Sequence, residues 1–165
     1  VNESRTARFE RIRTGLGPAL TRVVASYARP GADHDDLAQE VALAVWNALP
    51  TFRGDCSERA FVLRVAHNRG MHHLFRRRPP GDDAELDQRA DPGPGPDVSA
   101  SQRQEVERLF ASIRRLAPAQ RQVLTLALEE LPHAEISQVL GLSVSNVAVR
   151  LSRARAALRS ALEEP

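Results

Sequence analysis

Close to the end of the chain, Ser143, Ser145, Asn146, Val149, Arg150, Arg153 and Arg155 crowd one short stretch. Hydroxyl, amide and guanidinium groups of this kind bond to base edges and phosphates, which is the chemistry of reading DNA. A second group joins Phe52, Arg53, Gly54 and Asp55 to Arg64, Asn68, Arg69, His72, Arg76 and Arg77. A ring beside a glycine turn, backed by a guanidinium-rich helix, suits an unstacked base of a single strand. A third group is acidic: Asp33, Asp35, Asp36 and Glu40. It reads either as capping charge at a helix start or as a docking surface for a basic protein.

Other reactive types lead nowhere by spacing. A metal-binding helix places two histidines four apart on one face. Here His67 and His72 are five apart and His72 and His73 adjacent, so the rings diverge. No metal and no cofactor are expected. Cys56 has neither a paired base nor an orienting acid, and a Gly-rich phosphate loop is missing. The chemistry is that of binding, and the chain is not expected to be an enzyme.

Helices must position these groups. Gly141 fits a helix end that needs a left-handed residue, and Ser143 or Ser145 would cap the next helix. Val147, Leu151, Ala154, Leu158 and Leu162 then recur at helical spacing and leave Asn146, Val149, Arg150 and Arg153 off the buried stripe. This is a helix-turn-helix with a reading helix suited to the major groove. Upstream, Val106, Leu109, Phe110, Ile113 and Leu116 mark one helix, and Val123, Leu124, Ala127 and Leu128 another that Pro118 opens. In the first half, Leu16 to Val24 mark a helix interrupted near Gly15–Pro18. Asp33 or Asp35 caps a second that carries Leu37, Val41, Val45 and Leu49, and Ser57 caps a third that ends at Pro79. No segment alternates like a strand. The expectation is an all-α protein with two small helical domains, over 5–78 and 103–163. An acidic, Pro/Gly-rich linker over 79–102 joins them.

Net charge is only +2, but it is segregated. Residues 53–78 carry seven arginines against Asp55 and Glu58, and residues 79–102 carry six acids against one arginine. All 23 basic residues are arginine. The single cysteine excludes an internal disulfide, and no apolar run approaches the roughly 18 residues of a membrane span. A cytoplasmic monomer with no membrane partner is expected.

Together these residues resemble the extracytoplasmic-function group of bacterial RNA polymerase sigma factors. The matching runs are Asp35-Asp36-Leu37-Ala38-Gln39-Glu40-Val41, Val45-Trp46, Phe52-Arg53-Gly54 and Phe61 through Asn68. In the second half they are Leu116 through Leu124, Ala134-Glu135-Ile136, Leu140 through Ser143, Asn146-Val147 and Arg150 through Arg155. The resemblance implies a polymerase subunit that binds core enzyme, recognises −10 and −35 promoter elements and promotes DNA melting. Asp35, Asp36, Gln39, Glu40, Leu43 and Trp46 would grip the β′ clamp helices, and the second domain would meet the β flap. Phe52 to Asp55, with Arg64, Asn68, Arg69, His72, Arg76 and Arg77, would read and melt the −10 element. Ser143, Ser145, Asn146, Val149, Arg150, Arg153 and Arg155 would read the −35 element. The acidic linker resembles the segment that threads toward the RNA exit path. With no further domain expected after Pro165, regulation would fall to a separate anti-sigma factor. His72, Phe75 and Ala148 depart from the family's usual Asp, Arg and basic residue. The rivals are a stand-alone helix-turn-helix regulator built on the second half alone, and a metal-dependent hydrolase built on the histidines.

Overall fold

The computed structural model describes residues 2–77 and 99–164, and all regular structure among them is helical. The first half is a three-helix bundle. Helix α1 runs over Arg5–Ala25, with Ser4 Oγ accepting from the Ala7 amide at 3.1 Å. The interruption expected near Gly15–Pro18 does not occur, and α1 passes through Pro18. Proline there removes one backbone bond, but Ile12, Ala19 and Val23 bury one continuous face on both sides of it.

Helix α2 spans Ala32–Ala48. Its cap is Gly31, at φ 110, and neither Asp33 nor Asp35 caps it; both lie in the first turn. Asp33 is drawn instead to His73, from 40 residues further along the chain. Leu37, Val41 and Val45 are buried as expected, and Leu49 follows them in a 3-10 turn, Leu49–Thr51, that contains Pro50. Helix α3, Glu58–Arg77, starts at Ser57, whose Oγ accepts from the Ala60 amide at 3.1 Å.

The second half packs α4 (Ala100–Arg115), α5 (Pro118–Leu128), α6 (His133–Leu140) and α7 (Val144–Glu163) around Ile113, Val123, Leu126, Ile136, Val147, Leu151 and Ala154. Ser99 and Gln102 close a capping box on α4, which therefore begins inside the stretch expected to be linker. The rest of that stretch, to residue 98, lies outside the described residues. The apolar stripes are narrower than expected. Val106, Leu128 and Leu162 are exposed.

The two halves meet along a polar junction. Glu129, just past α5, is 3% exposed and takes a bidentate bond from Arg22 of α1, at 2.6 and 2.9 Å. Arg59 of α3 adds bonds to the same carboxylate, at 3.1 Å, and to its carbonyl, at 3.0 Å. Nearby, Arg114 donates to the Ala25 carbonyl at 2.8 Å, and the buried Arg121 guanidinium lies 5.4 Å from the Tyr27 ring centre. A charge this dry needs such partners, since an unpaired one would cost several kcal/mol (on the order of 3–5). The tight turn after α5 that presents Glu129 sets Glu130 at φ 62 and returns the Leu131 amide to the Leu126 carbonyl at 3.3 Å.

Candidate nucleic-acid interface

The helix-turn-helix forms as its local signals require. Gly141 adopts φ 65 and ends α6, and the Leu142 amide returns to the Ser137 carbonyl at 3.0 Å. Ser143, rather than Ser145, caps α7, with its Oγ accepting from the Asn146 amide at 3.1 Å. Val147, Leu151 and Ala154 are buried, so Ser145, Asn146, Val149, Arg153 and Arg155 are turned outward. Arg150 is half-buried, and its Nε donates to Asn146 Oδ1 at 3.1 Å. That bond fixes the guanidinium plane and leaves its two terminal nitrogens free to meet acceptors such as guanine O6 and N7.

In the first bundle the Phe52–Asp55 turn is less open than its sequence implies. Phe52 is half-buried, 5.0 Å from the Phe61 ring and capped by Arg8 at 4.9 Å. Arg53, Gly54 and Asp55 remain exposed, with Gly54 at φ 82. On α3, Asn68, His72 and Phe75 form an exposed strip, Phe75 at 66%. Arg64 lies along it, its guanidinium 5.5 Å from the Phe61 ring.

The acidic cluster and the end of α3 are brought together. Arg69 and Arg76 both bond to Glu40, at 3.1 and 2.7 Å, and Arg77 pairs with Asp33 at 2.6 Å and with Asp36 at 3.9 Å. The buried His73 bonds through Nε2 to Asp33 at 2.9 Å. Burial pushes the Glu40 carboxyl up, but the Arg76 and Arg69 guanidiniums outweigh it and hold Glu40 below the usual range. A shallow groove lies beside the network, lined by Asp36, Gln39, Glu40, Leu43 and Arg77, with Leu43 61% exposed at its rim. Asp35 is exposed on the same helix, with His34 Nδ1 at 3.8 Å. Trp46, half-buried and three residues beyond Leu43 on α2, does not line this groove. Its ring packs edge-on against Phe9 at 5.4 Å, beneath Arg5 at 4.2 Å.

The histidines disperse as their spacing predicts: His72 is exposed, His73 faces Asp33, and His67 is fully buried against Tyr27, whose hydroxyl lies 2.9 Å from Nδ1. Burial pushes His67 down to about 3, so the ring is neutral. Burial likewise pushes the Tyr27 phenol up. Tyr27 fits because Gly70 faces it; a Cβ there would sit 2.3 Å from the ring. No sequence signal marked Tyr27, Gly70, Arg22 or Glu129. Their partners lie too far along the chain for local patterns to register.

Two helical modules, one an acid-and-arginine bundle and the other a helix-turn-helix, are the build of a protein that reads DNA in company with another protein. The family described as Sigma-70 region 2 matches residues 14–79, and Sigma-70, region 4 matches residues 107–158. The sigma factor CnrH of Cupriavidus metallidurans is 33% identical over 158 residues, covering 89% of this chain and 82% of that protein. NccH of Alcaligenes xylosoxydans is 31% identical with the same coverage, and the ECF sigma-E factor of Escherichia coli K12 is 28% identical, over 90% of this chain and 89% of its own. Among solved structures, CnrH in complex with the cytosolic domain of CnrY superposes with a TM-score of 0.69 at 29% identity, over 97% of this chain and 90% of that one. RpoE of Bartonella quintana, in complex with the anti-sigma factor NepR, shares the fold at 18% identity with a TM-score of 0.72, over 95% and 98%. The chain belongs to the sigma-70 family of RNA polymerase sigma factors, in the extracytoplasmic-function group. It initiates transcription with core RNA polymerase and is not an enzyme, which sets aside both the stand-alone regulator and the hydrolase. No described helix is long and apolar enough to cross a membrane.

Proposed function

We propose that this sigma factor divides its work between the two bundles. The α2 edge, with Asp35, Asp36, Gln39, Glu40 and Leu43, docks on the β′ clamp helices of core polymerase. Trp46 supports that edge from within, and the second bundle meets the β flap. The Arg53–Asp55 turn and the α3 strip of Arg64, Asn68 and His72 engage the −10 element, with Phe52 bracing the turn. Arg69, Arg76 and Arg77 contact its phosphates. The α7 face, with Ser143, Ser145, Asn146, Val149, Arg150, Arg153 and Arg155, reads the −35 element. The chain works in the cytoplasm as a monomer until it joins polymerase, and a separate anti-sigma factor holds it in reserve, as the complexes of its relatives suggest.

One observation carries this reading. From Ser145 to Arg159 the outward residues of α7 offer hydrogen-bonding and cationic groups without a carboxylate, whereas the α2 edge offers carboxylates around an exposed leucine. The first surface fits DNA and the second a basic protein partner. The test is capture of core polymerase by the full chain. Reversing charge with Asp36→Arg and Glu40→Arg should lower capture at least tenfold while helix content is kept. Undiminished capture would move the docking surface elsewhere.

A further inference from the structure

Phe75 is an aromatic group that neither packing nor the proposed roles account for. Among the described residues, Phe9, Tyr27, Trp46, Phe52, Phe61 and Phe110 are buried or half-buried, whereas Phe75 is 66% exposed. It follows His72 by three residues and Asn68 by seven, so helical spacing sets it on their strip of α3. Arg64 lies one turn before Asn68. The strip thus runs from a guanidinium through an amide and an imidazole to a bare ring, and from Arg59 to Arg77 α3 holds no carboxylate. We propose that the Phe75 ring stacks on an unpaired base of the promoter strand, at the end of the opened segment farther from the Arg53–Asp55 turn. The inference rests on the proposed −10 role of α3.

The surroundings of the ring select a base over other apolar occupants. Leu43, the other strongly exposed apolar group of the first bundle, is set beside Asp36 and Glu40 and suits a basic protein. Phe75 continues a strip of hydrogen-bonding and cationic groups, which suits a partner with flat apolar faces and a charged rim, as a nucleotide has. A phenyl ring has neither donor nor acceptor, so it cannot read the edge of a base and can only cover its face. In a closed duplex both faces of a base are already covered by its neighbours, so the contact exists only on an opened strand. The helix rises about 25 Å from Glu58 to Phe75, and about 10 Å from Asn68 to Phe75. The turn and the ring therefore meet different nucleotides and hold the opened segment at two separate points.

The test uses holoenzyme assembled from the full chain and core polymerase, with a fluorescein-labelled, random-sequence single strand of about 25 nucleotides, read by anisotropy across a salt series. A second strand of the same length keeps every phosphate but lacks the bases over about a dozen central nucleotides. Phe75→Leu keeps apolar bulk and removes the flat face. It should weaken binding about 5–20 fold on the intact strand and less than twofold on the base-free one, with the salt slope unchanged. Phe75→Trp should hold the intact strand at least as tightly as the native chain. Phe75→Arg should bind both strands alike, with a salt slope steeper by about one. Asn68→Ala, from the same strip, should weaken binding to the intact strand about threefold. Native-like binding by Phe75→Leu beside a weakened Asn68→Ala overturns the stacking and leaves the −10 role of α3 standing. Native-like binding by both variants removes α3 from the strand, and the stacking falls with that role. Equal losses on the two strands would give Phe75 a backbone or structural role, and a dimer of the free chain that Phe75→Leu dissolves would give the ring to a second copy; either result overturns the proposal.

Discussion

The end of α3 keeps its arginines engaged, and the outer face of α7 keeps most of its arginines in solvent. Around α3, three arginines and a histidine are committed to carboxylates of α2, and a neutral histidine and a tyrosine fill the interior. Around α7 the interior is Val147, Leu151 and Ala154, and Arg153, Arg155 and Arg159 project into solvent, while the half-buried Arg150 bonds to Asn146. A helix that reads intact duplex can be finished in advance, because base edges in the major groove are already on display. At the end of α3 the guanidiniums are instead paired with carboxylates of the neighbouring α2.

The contrast can be broken most severely at a glycine. Gly70→Ala drives a Cβ into the Tyr27 ring, and overpacking of a helix contact costs about 3 kcal/mol. Gly141→Ala, in open space but at φ 65, should cost only about 1 kcal/mol. Urea denaturation of the two variants measures the gap, and equal losses would mean the first interior is no tighter than the second.

Acid sharpens the comparison next. His67 is lowered from its ordinary 6.5 to about 3 in the folded bundle, so the unfolded chain binds the extra proton. Its contribution is complete above pH 6.5 and fades as pH falls toward 3, by up to about 1.4 kcal/mol per unit. Unfolding followed between pH 7 and 4.5 should show this slope, and His67→Asn should flatten it. An unchanged slope in that variant would assign the acid response to other groups.

Smaller effects belong to the second bundle. Ser143→Ala should cost about 1 kcal/mol by removing the cap of α7. Arg153→Ala should weaken holoenzyme binding at −35 about threefold and lower the salt slope by about one, with no change in fold stability. Unaltered salt dependence would remove Arg153 from the phosphate contacts.

What the sequence made legible follows from range. Gly141 and Ser143 sit within two residues of each other and define the turn on their own. Ser57 capped α3 for the same local reason. Asp33 looked like a cap and became a partner of His73, because a bond 40 residues away outcompeted the backbone amide beside it. Phe52 looked available for a base, but Phe61 and Arg8 hold its ring. Pro18 looked like a break, yet burial on both sides carried the helix through. The acidic cluster and the basic helix were each visible, while their pairing was not. Charge pattern along a chain carries no information about which helix lies beside which.

The bridge at Glu129 has a mechanical consequence. Its carboxylate is dry, and both of its oxygens are bonded to arginines of α1 and α3. Parting the halves would bare a carboxylate that is 3% exposed, while the two guanidiniums, already half in water, would lose their shared acceptor. One dry side chain thus fastens α1 and α3 of the first bundle to the second bundle.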